Sequence, residues 1–274
     1  MSNFWQRLIT GVLFITVLLG AMLWSKYSIA LLLFPTALIG LNEFYTITRS
    51  NKTQIPKTLA MVIGGLTYLL ITAVRVFDLP GALLSLCIVL VSILLVTELF
   101  RAQKRPITNI AYGIFGILYI VVPFALLNYI PLDSHGVPKS GLLLVAFFAS
   151  LWANDTGAYC SGRLFGKHKL FVRISPNKTW EGFYGGLFFC VLTGYIFSRF
   201  DSFLTPVQWI GFSLIIGVFG TLGDLVESML KRNYNIKDSG KLLPGHGGVL
   251  DRFDGIFLAC PLVIAYLELV AMVN

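Results

Sequence analysis

Asp224, Glu227, Ser228 and Lys231 recur at i, i+3, i+4 and i+7, the spacing that sets polar side chains in one stripe along a helix. Arg232, Lys237, Asp238 and Lys241 follow, then a Pro244-Gly245-His246-Gly247-Gly248 turn, then Asp251, Arg252 and Asp254. Apolar runs flank this charged stretch. Charge at the end of a membrane span is costly unless it faces water, protein or a polar ligand. Mixed cations and carboxylates suit a metal-bound polyphosphate better than either kind alone. An intramembrane carboxylate costs about 2.5–3.5 kcal/mol on insertion scales, so Asp224 needs a cation or a wet cavity beside it. A salt bridge to Arg232 or Arg252 would serve. So would magnesium, which takes hard oxygen donors, often one or two carboxylates with phosphate and water. Asp251 and Asp254, at i and i+3, can share a helix face, and a helix start favours acids in any case. Two antiparallel neighbouring helices would bring Asp224 and Asp251 to one membrane face as a metal pair, with Asp254 on the ion or one layer behind it.

A second group lies upstream. Asn154-Asp155-Thr156-Gly157-Ala158-Tyr159 closes an apolar run, in residue types that also cap helices. The loop beyond it carries Lys167, Lys169, Arg173 and Lys178, with Ser175-Pro176-Asn177-Lys178-Thr179 leading into the next run. Clustered cations with Ser and Asn donors suit a triphosphate. No G-x-x-x-x-G-K-[ST] loop is present, and phosphate binding does not require one. The glycine-rich turn lets backbone N–H groups approach a phosphate just ahead of a helix start, with His246 placed for substrate contact. An ordinary tight turn has the same composition.

The elements that must position these residues are apolar helices. Of 274 residues, 56% are hydrophobic and 12% charged, unlike a soluble domain. Nine runs have about the length that spans a bilayer: Leu8–Trp24, Tyr27–Thr48, Thr58–Val74, Leu79–Leu99, Ile107–Ile130, Ser140–Tyr159, Gly182–Ser198, Phe203–Leu230 and Phe253–Val273. They are apolar all round, against the alternation a barrel needs. The expected fold is therefore all-α: a polytopic integral membrane protein of about nine transmembrane helices, 1–274 forming one membrane domain. Only Lys26, Arg75, Lys139 and Arg199, of 21 Lys and Arg, fall opposite the amino terminus, which this bias places in the cytoplasm with the 6/7 and 8/9 loops. Residues 1–100, with almost no mid-helix ionisable group, read as scaffold, and 101–274 as the catalytic half. The +8 charge follows from topology, so no nucleic-acid partner is expected. The first run lacks a clear cleavage site and reads as a retained helix. Cys87, Cys160, Cys190 and Cys260 have no zinc or disulfide spacing and read as packing residues.

The stretch Ser228, Lys231-Arg232, Lys237-Asp238, Gly240, Leu243-Pro244, His246-Gly247-Gly248, Asp251-Arg252 and Asp254 resembles the signature of the phosphatidate cytidylyltransferases, also called CDP-diacylglycerol synthases. Asn154-Asp155-Thr156-Gly157 and Ile174-Ser175-Pro176-Asn177-Lys178-Thr179 also resemble that family. Before about Arg101 the likeness is only that of a hydrophobic membrane region. The resemblance implies transfer of a cytidylyl group from CTP to phosphatidic acid, giving CDP-diacylglycerol and pyrophosphate. It implies a bilayer-embedded enzyme of the bacterial plasma membrane, its active site facing the cytoplasm. Magnesium is the implied cofactor; a second cation and a homodimer are left open. Asp224, Asp251, Asp254, Lys237 and Asp238 would be catalytic, with Asp224 and Asp251 on the metal. Asn154, Asp155, Asn177, Lys178, Ser228, Lys231, Arg232, His246, Gly247, Gly248 and Arg252 would bind substrate.

Two rival readings fit less well. A transporter would place charge at mid-bilayer and often show repeated halves, whereas here the polar groups collect at one face. An alcohol phosphotransferase acting on CDP-lipid would want D-x-x-D-G-x-x-A-R, and Asp251–Gly255 runs on into Ile256-Phe257-Leu258-Ala259 without the arginine.

Overall fold

The computed structural model describes residues 3–50, 53–132, 136–138, 140–240 and 247–273. In chain order the helices are α1 (Asn3–Trp24), α2 (Lys26–Thr48), α3 (Lys57–Val76), α4 (Ser85–Phe100), α5 (Pro106–Gly116), α6 (Val122–Leu126), α7 (Leu142–Phe165), α8 (Trp180–Phe197), α9 (Pro206–Asn233), α10 (Leu250–Phe253) and α11 (Ile256–Val273). Local chemistry sets several ends. Ser25 and Ser28 form a capping box ahead of α2, and Thr205 with Gln208 does the same for α9, whose first residue is Pro206. Between α5 and α6 the backbone widens into a π-type turn at Ile117–Val121, just before Pro123, whose ring nitrogen has no hydrogen to donate.

Among the described residues, six helical segments are long and apolar enough to cross a membrane: Lys26–Thr48, Lys57–Val76, Gly81–Phe100, Pro106–Tyr129, Pro206–Asn233 and Leu250–Met272. The chain is nearly all helical, with one correction. The loop after α7 folds into an antiparallel hairpin of β1 (Lys169–Phe171) and β2 (Ser175–Thr179). Pro176 bars a helix interior there, and the Glu181 carboxylate, at the start of α8, accepts from the N–H groups of Lys167 (3.1 Å) and His168 (3.2 Å). The last apolar run is also broken: α10 stops at Phe253, Asp254-Gly255 form a turn, and α11 begins at Ile256. Asp254 therefore stands in a turn, and the single helix face expected to carry both Asp251 and Asp254 does not form.

The chain divides into two compact units. Unit 1 comprises Met1–Val137 and Asp238–Phe253. In it α2 packs on α3 and on the α5–α6 segment through fully buried Leu33, Leu41, Phe44 and Tyr45, and the Tyr45 hydroxyl donates to the Gly113 carbonyl (2.7 Å). Phe253 is buried between the rings of Phe14 (5.6 Å) and Phe124 (5.0 Å), both edge-on, which fixes α10 in this unit. Unit 1 is not free of buried charge: Glu43 on α2 and Glu98 on α4 are both buried, at 7% and 1% exposure. These are among the few ionisable groups in the apolar runs of residues 1–100.

Unit 2 comprises Pro138–Lys237 and Asp254–Asn274, with α7, α8, α9 and α11. Small residues bring its helix backbones together. A Cβ on Gly182 would lie 2.8 Å from the Ala158 carbonyl, and one on Gly186 the same distance from that of Asn154, so α8 rests directly on α7. A Cβ on Gly223 would come within 2.7 Å of the Asp254 carbonyl, so the turn after α10 lies against α9.

Candidate active site

A cavity of about 470 Å³ opens in unit 2 between α7, the hairpin, the start of α8 and α9. Asn154, Asp155 and Arg163 line it from α7, Asn177 and Lys178 from β2, and Thr221 and Asp224 from α9. The elements arrive there for local reasons. Thr179 ends β2 and caps α8, its hydroxyl accepting from Gly182 N (3.1 Å), so Asn177 and Lys178 are held just ahead of a helix start. Asn154 is 1% exposed; its Nδ2 donates to Thr221 Oγ1 (3.1 Å), whose own proton goes to the Gly217 carbonyl (2.9 Å). The Asn154 Oδ1 finds no donor among the described residues, an acceptor left over beside the cavity.

The charges are arranged by sign. Lys178 Nζ pairs directly with Asp224 Oδ2, and Ser228 Oγ donates to Asp224 Oδ1 (3.3 Å). One turn away Lys231 pairs with buried Glu227 (2.6 Å). The helical stripe expected on α9 is therefore formed, as two i, i+4 contacts. Asp254 lies within electrostatic reach of Asp224, Asp155 and Glu227. Four carboxylates thus gather in one unit, with Lys178 and Lys231 against them. Among the described residues no three His, Cys, Asp or Glu side chains converge closely enough to hold a metal ion by themselves. The acids fit a magnesium ion that takes one or two carboxylates and completes its shell with phosphate and water.

The signature loop of unit 1 is organised by two acids. Asp251 Oδ2 accepts from Ser239 N (2.8 Å), Ser239 Oγ (2.9 Å) and Gly248 N (2.8 Å). Gly247 has φ +83, and a Cβ there would lie 2.6 Å from the same oxygen, so both its conformation and its place demand glycine. The second acid is Glu43, which sequence reasoning misses. Its Oε1 accepts from Val249 N (3.0 Å) and its Oε2 from Leu250 N (3.0 Å) and Ser239 Oγ (3.2 Å). The Glu43 carboxylate occupies the space a side chain would need on Gly240 or Gly248. A signal for it exists: a lone acid in an apolar run is a site hypothesis by default.

Placement of the other expected residues is uneven. Asn154, Asp155, Asn177, Lys178 and Asp224 share the cavity wall. Arg232 is exposed and donates to the Ile236 carbonyl (3.2 Å), closing the end of α9 rather than neutralising Asp224. Lys237 and Asp238 are exposed and make no ion pair among the described residues, and Arg252 is exposed on α10. His246 lies outside the described residues, as does Lys241.

Comparison with known proteins agrees in extent with this architecture. The profile of the cytidylyltransferase family matches residues 5–270. A phosphatidate cytidylyltransferase of Staphylococcus epidermidis is 34% identical over 262 residues, covering 94% of this chain and 96% of the relative. The enzyme of that name from Bacillus subtilis is 33% identical over 267 residues, covering 96% and 97%. That from Staphylococcus aureus is 34% identical over 267 residues, covering 94% and 96%. With both units inside the matched span, and the cavity and the signature loop with them, this chain belongs to the cytidylyltransferase family.

Proposed function

We propose that this chain transfers the cytidylyl group of CTP to phosphatidic acid, releasing pyrophosphate and leaving CDP-diacylglycerol in the bilayer. The observation that carries the reading is the Lys178–Asp224 pair on the cavity wall. In a cytidylyltransferase, a cation and a carboxylate in mutual contact are the two charges a metal-bound triphosphate would separate.

A phosphatidate oxygen attacks the α-phosphorus of CTP, the bond from that phosphorus to the bridging oxygen breaks, and pyrophosphate leaves with the electron pair. The attacking oxygen is already anionic near neutral pH, so no side chain has to remove a proton. What the chain must supply is alignment and countercharge. Lys178 is a point charge on a flexible stem and can turn from Asp224 to a phosphate oxygen, while Arg163 offers a planar fork on the same wall. Asn154, fixed by Thr221, presents its spare acceptor beside them. Magnesium, when bound, would neutralise charge on the transferring phosphates, and Asp224 with Asp254 beside it is the pair we assign to hold it. The sequence reading gives Asp251 a share of that role. Its Oδ2 is committed to Ser239 and Gly248.

In the same reading α1, α7 and α8 join the six long apolar segments to give nine spans. The basic bias would put the amino terminus and the cavity on the cytoplasmic side of a bacterial plasma membrane, and the odd count the carboxyl terminus on the other. The test is incubation of purified protein with phosphatidic acid, magnesium and CTP labelled either in the cytidine or at the γ-phosphate. Cytidine label should enter lipid and γ label should leave as pyrophosphate. Cytidine label remaining in water, or γ label entering lipid, would reject the reaction.

A further inference from the structure

A second cavity, of about 550 Å³, lies wholly within unit 1 and shares no lining residue with the first. Its wall carries three cations, Arg49 at the end of α2, Lys57 at the start of α3 and Arg101 just past α4, with Gln54 and buried Tyr45 between them. Arg101 is spoken for: its Nη1 donates to Glu98 Oε2 (2.6 Å) and to the Gln54 carbonyl (3.0 Å). Glu98 Oε1 in turn accepts from Asn109 Nδ2 (2.5 Å), and Asn109 Oδ1 from Gln54 N (2.7 Å). This chain of bonds ties the α2–α3 loop to the α4–α5 hairpin and consumes the buried acid Glu98. Arg49 and Lys57 are left within electrostatic reach of each other, and neither pairs with a carboxylate among the described residues. Among the described residues, Lys57 Nζ donates to the Thr46 hydroxyl (2.8 Å).

The topology bias explains cations on this side of the membrane, and helix dipoles explain Arg49 and Arg101, which follow helix C-termini. The bias accounts for the side on which Lys57 lies, but the dipole does not account for its place. Lys57 opens α3, where the dipole is already positive, in a first turn with no acid and no side-chain cap. Two like charges line this one cavity, beside a helix end that itself favours anions. Such a cavity is large enough for a small ligand and is short of negative charge.

We propose that this cavity binds a phosphate-bearing anion, held by Arg49 and Lys57, at a site separate from the one that lines unit 2. Arg49 supplies a planar fork for two phosphate oxygens and Lys57 a movable point charge. The anion comes either from an anionic phospholipid headgroup or from a free phosphate.

The experiment reads the reactivity of Lys57 toward an amine-acylating reagent, by peptide mass spectrometry on full-length protein. One arm uses phosphatidylcholine vesicles with added phosphatidylglycerol and no free phosphate; the other uses phosphatidylcholine alone with inorganic pyrophosphate. Slowing of Lys57 acylation by roughly tenfold in either arm is expected, and the arm identifies the source. In Arg49→Gln the concentration giving half protection should rise about tenfold, the weight of one cation at an anionic surface, while Arg49→Lys should keep most of it. Reactivity indifferent to both anions, or protection equal in Arg49→Gln and the parent, would overturn the site.

Discussion

Replacing Gly240 with alanine should be harmful only while Glu43 is present. In the parent chain Glu43 Oε1 stands where the new Cβ would sit, and the Glu43 Cδ lies 2.9 Å from it. Gly240 has no positive φ to complicate the exchange. The carboxylate cannot simply step aside, because it holds Val249 N, Leu250 N and Ser239 Oγ at 3.0, 3.0 and 3.2 Å. Moving it strands at least one buried N–H, at about 1–3 kcal/mol, so the arrangement that holds Val249 and Leu250 on Glu43 should lose roughly 5- to 150-fold in population. Glu43→Ala alone strands both N–H groups and should be the worse single change. In that background the nearest remaining contact of the methyl introduced by Gly240→Ala is the Gly248 Cα, at 3.2 Å, and the change should cost less. The cycle is measured as kcat/KM for cytidine label entering lipid, with denaturant unfolding in detergent beside it. A coupling of about 1–3 kcal/mol is expected for groups in direct contact. Equal penalties for Gly240→Ala in both backgrounds would refute the claim that Glu43 shapes this loop.

Asp224→Asn and Lys178→Ala should each cut cytidylyl transfer by roughly 100-fold, as loss of countercharge worth several kcal/mol implies. They should differ in thermal unfolding, with Lys178→Ala melting lower than the parent and Asp224→Asn no lower; matching losses of stability would count against the charge arrangement. Single cysteines replacing Lys169 and Arg232 should be labelled only from the cytoplasmic side in intact cells, and labelling of either from outside would break the topology. Glu181 is held down to about 2 by its own backbone N–H, then by the His168 ring and the N–H groups of Lys167 and His168. Its folded value lies below the ordinary 4.5, so its hold on the hairpin is complete above about 4.5 and fades as pH falls toward 2. Limited proteolysis at Arg173 should follow that window and should lose its pH dependence in Glu181→Gln.

The helical runs are legible because length and apolarity alone define a span, and every expected run contains helix. The α9 stripe is legible because 3.6-residue periodicity needs no partner element. Three features are not. The hairpin at β1–β2 lies in a stretch whose basic residues mask any strand alternation, and its anchor, Glu181, stands at the edge of the next apolar run with no spacing that marks it. The break at Asp254-Gly255 follows from backbone contact with Gly220 and Gly223 on α9, which no local rule in the last run contains. Glu43 is visible as an acid in an apolar run. Its role is hidden because its partners, Val249 and Leu250, are backbone groups 206 and 207 residues away and carry no side-chain signature.

The partner of Asp224 illustrates the same boundary in terms of charge. Sequence demands a cation beside it and offers Arg232 and Arg252, near in number; the fold supplies Lys178 from β2. That choice has a consequence for catalysis. Asp224, Asp155 and Glu227 each repel Asp254, and Lys178 and Lys231 offset that negative charge. Removing Lys178 leaves the acids opposed by one cation fewer, whereas neutralising Asp224 removes one of the repelling charges. The ion pair is therefore unequal: stability depends more on the lysine. A triphosphate arriving with its metal brings both signs, so Lys178 and Asp224 can each exchange one partner for another without either standing unpaired. The same pairing that lets the acid sit at the end of a membrane span prepares it for exchange with substrate.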